Sequence, residues 1–280
     1  MQHKSVLYVV ATPIGNLADI SERARTILSE VDLIVAEDTR HSRKLLNHYG
    51  ITAKLLSLHQ HNEQSRAPQL IERLQAGESI AMISDAGTPA ISDPGYLVVQ
   101  QVAQAGIDVR PIPGPSSLTA VLSVAGMPAD KFQFCGFLPS KATQRQAALQ
   151  ALKLEKHTLV FFEAPHRILA FLDDVSDQFE ADRDITIGRE VSKYYETYYY
   201  GTAASIKQTL QDNPEQMNGE FVVCVAGSTE TKSVDTVELE RLLKLLLEEL
   251  PLSGAVKLAA KISGVKRNQV YEIALELSEE

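Results

Sequence analysis

The sequence predicts an α/β protein with two successive sheet-and-helix layers and a short helical tail. Three observations predict it. Apolar runs of strand length alternate with segments of helical spacing through the first half. The alternation restarts after G-M-P-A-D (126–130). A polar stretch, S-T-E-T-K-S (228–233), then leads into a purely helical pattern. Strands alternating with helices imply βαβ units and a mostly parallel sheet.

The elements follow in order. L-Y-V-V-A (7–11) is apolar throughout, as a strand buried on both faces should be. A helix follows near Asp19, where Glu22 stands at capping-box spacing and Ile20, Ala24, Ile27, Leu28 and Val31 share one face. D-L-I-V-A-E (32–37) is strand-like. T-R-H-S-R-K-L-L-N-H-Y-G (39–50) reads as a helix closed by Gly50. A strand at 54–58, a helix at 67–76 ending at Gly77, and a strand at 79–84 come next. Tyr96 to Ala105 is helical, 108–112 a strand and 116–125 a helix. Beyond the restart, strands are expected at 132–137, 158–163, 184–190 and 220–226, with helices near 141–153, 166–179 and 202–211. The tail holds helices around 235–249, 252–263 and 267–278.

At 280 residues the chain has room for one large or two medium domains, and 44% hydrophobic with 22% charged residues suits an ordinary globular protein. No apolar run approaches the ~20 residues of a membrane span. The start enters an apolar strand with no basic region and cleavage site before it, so no signal peptide is expected and a cytoplasmic location is. Cys135 and Cys224 sit in strand-like runs and read as two buried thiols. The net charge of −9 opposes a basic coat over the whole body, yet leaves room for local basic patches.

Three strand ends carry unusual loops: T-P-I-G-N (12–16), S-D-A-G-T-P (84–89) and P-I-P-G-P-S-S (111–117). The middle one continues as S-D-A-G-T-P-A-I-S-D-P-G, twelve residues where a connection needs only a few. In open parallel sheets ligands bind beyond the carboxyl ends of the strands. Singly each loop reads as an ordinary turn; together they point to a binding cleft. Neither a Walker A loop nor a G-x-G-x-x-G fingerprint is present, and no Lys or Arg stands in these loops to hold phosphates. Asp85 and Asp93 favour a cationic or polar ligand without phosphates, and S-adenosylmethionine is one such ligand.

Seven stretches occur in order: A-T-P-I-G-N-L-A-D-I, A-E-D-T-R-H-S, L-H-Q-H-N-E, S-D-A-G-T-P-A-I-S-D-P-G, P-I-P-G-P-S-S, G-F-L-P-S-K and F-F-E-A-P-H-R-I. In these the chain strongly resembles the small-subunit ribosomal RNA (cytidine-2′-O)-methyltransferase family, within the tetrapyrrole methylase superfamily. The resemblance covers nearly the whole chain. It implies an α/β domain with a mostly parallel sheet (1–117), a second with a mixed sheet (118–228), and a helix-turn-helix-like tail (234–280). It implies S-adenosylmethionine in the cleft between the first two, a homodimer, and no membrane or DNA partner. The implied acceptor is the 2′-hydroxyl of a cytidine, cytidine 1402, in the decoding region of 16S rRNA within the small ribosomal subunit. By motif position, Pro13, Ile14 and Gly15 would line the cofactor pocket. Asp85, Gly87 and Thr88 would hold its amino acid or ribose end, with Ser116 and Ser117 contacting the same ligand. Phe162 and Glu163 would close over the adenosine.

Methyl transfer to a ribose hydroxyl needs in-line positioning and benefits from a general base. Glu37, Asp38, Glu63 and His166 are the candidates; for Asp38, which directly precedes a helix, capping competes strongly. Arg40, His41, Arg43 and Lys44 lie on one helical stretch and suit either phosphate contact or a solvated face. Lys257, Lys261, Lys266 and Arg267 form a basic excess in the tail, read as RNA docking with packing on a partner subunit close behind. His59 and His61 alternate at strand spacing, but no further ligands cluster there and no metal is expected. K-Y-Y-E-T-Y-Y-Y-G (193–201) reads as a strand with one aromatic face buried, ahead of a base-stacking platform. Two other readings stand beside this one. One is a methyltransferase of the same superfamily acting on a tetrapyrrole or a protein; the other is a non-catalytic ribosome assembly factor.

Overall fold

The computed structural model describes residues 5–229 and 236–278. The chain folds as two compact units that part after Ser228. The polar stretch expected at 228–233 falls largely outside the described residues.

The first unit carries two five-stranded sheets. The first sheet is wholly parallel, with strands β1 (Val6–Val10), β2 (Leu33–Ala36), β3 (Leu55–Ser57), β4 (Ile80–Ile83) and β5 (Asp108–Ile112) in the order β3-β2-β4-β1-β5. Its helices are α1 (Glu22–Glu30), α2 (Thr39–His48), α3 (Glu63–Gln75) and α4 (Tyr96–Gln104). They cover both faces. Leu7, Val35 and Met82 pack with Leu70, Leu74 and Val98 on one side. Val10, Ile34 and Ile83 pack with Ala24, Leu28 and Leu46 on the other. This two-sided burial is why β2 and β4 read as unbroken apolar runs. The topology also brings β4, β1 and β5 side by side, so the three unusual loops leave three neighbouring strands.

The second sheet is mixed. It comprises β6 (Phe132–Phe137), β7 (Thr158–Glu163), β8 (Ile185–Arg189), β9 (Thr197–Gly201) and β10 (Phe221–Val225), ordered β6-β7-β10-β8-β9. Only β6 and β7 run parallel; β10 is antiparallel to β7 and β8, and β9 to β8. The end of β7 therefore lies beside the start of β10, with Glu163 opposite Phe221. Helices α6 (Ala142–Leu152), α7 (Ile168–Gln178) and α8 (Ala203–Asp212) cover one face through Phe161, Phe171 and Leu210. Helix α5 (Ser117–Val124) lies on the other, where Val121 joins Val160, Val222 and Cys224. The tyrosine-rich stretch is a strand as expected: Tyr199 is in the core, while Tyr200 is exposed and Tyr194 and Tyr195 stand in the turn before it.

The second unit holds α9 (Thr236–Glu249), α10 (Leu252–Ser263) and α11 (Arg267–Ser278). Leu239 and Leu243 pack with Val256, Ala259, Val270 and Ala274. Gly264, at φ +70, ends α10 in the left-handed conformation that glycine adopts without strain.

Three expectations need correction. Asp19 does not cap α1. Asn16 caps a 3-10 turn over Leu17–Asp19, and Ser21 takes the cap of α1 by accepting from the Ala24 amide at 3.1 Å. Helix α3 begins four residues before Ala67. Pro68 costs it one backbone bond, and the extra turn is anchored by Glu63. Cys224 is fully buried, but Cys135 only partly; burial pushes both thiols up, to about 12 and about 11. No helix among the described residues is long and apolar enough to cross a membrane.

Candidate active site

Hydrogen bonds join the three loops into one surface. Thr12 and Gly87 exchange backbone bonds of 2.9 and 3.0 Å, linking the loops after β1 and β4. The Thr12 hydroxyl donates to the Ser84 carbonyl at 3.2 Å. The Thr88 hydroxyl donates to the Pro115 carbonyl at 3.2 Å, tying in the loop after β5. Gly87 sits at φ +76, and Ala90 and Ser92 also hold positive φ, of 67° and 63°. Non-glycine residues there are strained, and such strain collects at functional sites. The long loop is thus a shaped wall.

That wall faces a cavity of about 410 Å³, within the roughly 300–1,000 Å³ of small-molecule sites. The first sheet contributes Ile14, Gly87, Thr88 and Asp93, and the start of α5 adds Ser116 and Ser117. The second sheet contributes Phe137, Phe162, Val191 and Glu220. Phe162 sits edge-on between Phe134 and Phe137, with centroids 4.9 and 5.6 Å away, so the far side is aromatic. Ser116 makes no side-chain cap bond to α5.

The cavity lining includes no Lys or Arg. Burial pushes the Asp93 carboxyl above its ordinary range; a hydrogen bond from Ser84 opposes this and Asp85 adds to it. Burial, then Asp85 and Asp93, likewise raise Glu37. Beside this acidic rim α2 presents Arg40, His41, Arg43 and Lys44, all exposed. Lys257, Lys261, Lys266 and Arg267 are exposed on the tail unit.

The expected cofactor residues divide. Ile14, Gly87, Thr88, Ser116, Ser117, Phe162 and Glu163 line the cavity. Pro13 and Asp85 are outside its lining: Pro13 is buried, and Asp85 accepts from the Asp38 amide at 3.1 Å. Gly15 faces Lys193 instead: a Cβ there would lie 2.2 Å from the Lys193 Cγ. Glu163 is 2% exposed, with one oxygen accepting from the Ala164 amide and the carboxylate paired to Arg167 at 3.0 Å. Its side chain is committed to the wall.

The expected bases divide too. Asp38 caps α2, and its bond from the Arg40 amide at 2.7 Å holds its carboxyl below the ordinary range. Glu63 is buried, and its Oε1 accepts from the amides of Gly95, Leu97 and Val98 at 2.9, 2.7 and 3.4 Å. It caps α4, not its own helix. Both carboxylates are thus engaged structurally. Glu37 stays half-buried at the end of β2, and His166 is exposed beside cavity residues Ala164 and Pro165. Phe137, Val191 and Glu220 were given no role from sequence, and Asp93 only a preference for a ligand without phosphates. Asp93 and Phe137 stand inside two of the quoted motifs; Val191 and Glu220 carry no local signal. Among the described residues no group of three His, Cys, Asp or Glu could hold a metal ion.

The family model "Tetrapyrrole (Corrin/Porphyrin) Methylases" matches residues 6–207, and that of the "RsmI C-terminal HTH domain" matches 233–278. A ribosomal RNA small subunit methyltransferase I from Pseudomonas aeruginosa is 49% identical over 96% of this chain and 96% of its own. One from Xylella fastidiosa is 48% identical over 97% and 99%. Among solved structures, a cobalt precorrin-4 methyltransferase superposes at TM-score 0.57 with 14% identity, over 81% of this chain and 96% of that one. A diphthine synthase superposes at 0.56 with 15% identity, over 79% and 89%. These two share the fold. On the family match and the full-length identities, the chain belongs to the tetrapyrrole methylase family and, within it, to the ribosomal RNA small subunit methyltransferases I.

Proposed function

We propose that this chain transfers a methyl group from S-adenosylmethionine to the 2′-hydroxyl of a cytidine in the decoding region of 16S rRNA, acting on the small ribosomal subunit as a cytoplasmic homodimer. One observation carries the reading: a cavity at the ends of β4, β1 and β5, walled by aromatic rings and an acidic rim, lies beside an exposed basic helix. The names of the full-length relatives support the acceptor. Residues 1–117 and 118–228 are taken as the two halves of the first unit, since α5 packs on the second sheet.

The residues fit the cofactor. It is a cation with an adenine, and the cavity offers aromatic faces, carboxylates and no fixed positive charge. Phe137 and Phe162 would hold the adenine. Ser116, Ser117 and Thr88 would donate to polar groups, and Gly87 lets the backbone approach. Asp93 and Asp85 favour positive charge. When bound, the cofactor supplies an electrophilic methyl on a sulfonium. Arg40, His41, Arg43 and Lys44 would place the RNA by its phosphates without reading sequence. Lys257, Lys261, Lys266 and Arg267 would hold further phosphates from the tail. Glu37, whose basicity is raised by its surroundings, would take the hydroxyl proton.

The test is methyl transfer from labelled S-adenosylmethionine to small subunits lacking the modification, with the product mapped by nuclease digestion. Label in a 2′-O-methylcytidine of the decoding region is expected. Tight cofactor binding with no label on RNA would overturn the acceptor.

A further inference from the structure

We infer that Lys193 is a positioning residue for the cofactor cavity: a strut that sets the T-P-I-G loop of the first half against the rim of the second. The inference rests on the reading of that cavity as the S-adenosylmethionine site. Lys193 Nζ donates to Glu190 Oε1 at 2.8 Å and to Glu220 Oε2 at 3.1 Å. Its aliphatic stem runs across Gly15 of the loop after β1. One end of the side chain is therefore fixed to the second sheet while its middle bears on the first.

Two glycines, far apart in sequence, clear space for the same ion pair. A Cβ on Gly15 would lie 2.2 Å from Lys193 Cγ, and a Cβ on Gly219 would lie 2.5 Å from Glu190 Cγ. The first lies in the first half of the unit and the second in the other. Gly219 also holds φ +110, so its side-chain-free conformation serves both backbone and neighbour. Glu190 accepts as well from the Glu220 amide at 2.9 Å, and its own amide donates to the Glu220 carbonyl at 3.0 Å. The carboxylate is thus held between Lys193 and the start of β10.

The backbone around the strut is strained, with Glu190 at φ 50° and Ser192 at φ 66°. Neither is a glycine, and the surroundings must over-determine such conformations. Asp19 completes the attachment by accepting from the Ser192 hydroxyl. Of the two ion pairs, the one to Glu190 matters more. Glu190's side chain is 17% exposed, whereas that of Glu220 is 78% exposed and screened by water. Burial opposes the charge on Lys193, yet its bonds to Glu190 and Glu220 outweigh this and raise it above the ordinary lysine range.

What the strut sets is the width of the cavity. Ile14 immediately precedes Gly15, and it packs on the cluster that contains Val191, one residue beyond Glu190. Ile14, Val191 and Glu220 all line the cavity. Lys193 is not itself a lining residue; it acts through them.

The experiment is a double-mutant cycle on Gly15→Ala and Lys193→Ala, with Lys193→Arg as the conservative variant. S-adenosylmethionine binding is read by calorimetry, kcat and KM by methyl transfer, and Tm by a thermal melt. Lys193→Ala should raise Kd and the cofactor KM roughly tenfold, within the range of coupling between contacting residues, with kcat changed far less. Lys193→Arg should recover most of that loss. Gly15→Ala should weaken binding in the wild-type background and add little once Lys193 is alanine, because the atom it strikes is gone. Equal losses from Gly15→Ala in both backgrounds would overturn the strut and leave Gly15 serving the ligand directly. So would a Lys193→Ala variant that melts lower but binds normally. Wild-type protein that binds no S-adenosylmethionine overturns the cofactor reading and this inference with it.

Discussion

Replacing Glu63 separates a structural role from a chemical one. The carboxylate is 6% exposed and satisfies the opening amides of α4 from another helix. Glu63→Ala leaves two well-made buried bonds without an acceptor, at about 1–3 kcal/mol each. It also removes a negative charge from a helix N-terminus, about 0.3–1 kcal/mol more. The total is roughly 2–7 kcal/mol. Glu63→Gln keeps a carbonyl oxygen and loses only the charge assistance, about 1 kcal/mol per bond or ~2 kcal/mol in all. A unit of this size shifts by about 2–4 °C per kcal/mol, so the glutamine variant should melt about 4–8 °C lower and the alanine variant, at the midpoint of its range, about 9–18 °C lower. Cofactor affinity should fall in step, because Ile91, Ser92 and Asp93 lie just before the capped turn and line the cavity. The assay is a thermal melt paired with calorimetric titration of S-adenosylmethionine and a methyl-transfer rate. A glutamine variant that melts within about 1 °C of wild type while kcat collapses would refute the cap and restore Glu63 as a base.

Three further variants test the site. Glu37→Gln should lower kcat about 100-fold with calorimetric cofactor affinity unchanged, the usual scale of a lost general base. In the wild type kcat should rise with pH through a value above the ordinary 4.5, as Glu37 loses its proton, and this limb should vanish in the variant. Asp93→Asn should raise Tm at pH 7. The folded chain holds the Asp93 proton more tightly than the unfolded chain, so wild type loses stability as pH rises past 3.8 through the raised value. The gain should shrink as melts are repeated towards pH 3.8. Arg43→Ala with Lys44→Ala should raise the subunit KM, leave the cofactor KM alone, and flatten the salt dependence by roughly 0.7–0.9 for each phosphate no longer neutralised.

The fold was legible wherever burial is two-sided. β2 and β4 are apolar at every position because helices cover both faces, so the run itself announces a parallel strand. Helix ends were legible where glycine stops them, as at Gly50, Gly77 and Gly106, all of positive φ. Boundaries failed where the deciding partner is distant. Glu63 extends α3 because its carboxylate reaches Gly95, 32 positions on, and no local pattern announces that. Asp19 looked like a cap by spacing, but Asn16 and Ser21 are the better-placed acceptors and Asp19 turned to Ser192.

The site divides along the same line. A glycine in a loop says that something passes close, and the sequence does not say what. At Gly87 the φ of 76° and the cavity agree with a ligand-facing turn. At Gly15 the space belongs to a lysine 178 positions away. Both stand in motifs that read alike as loops at strand ends. The difference arises only when the second sheet is folded against the first, since Lys193, Val191 and Glu220 come from strand ends that carry no glycine-rich signature. One half of the cavity is thus written locally, in three loops that share a sheet edge. The other half is a property of assembly, where ordinary residues such as Val191 and Glu220 become walls because of what they are packed beside.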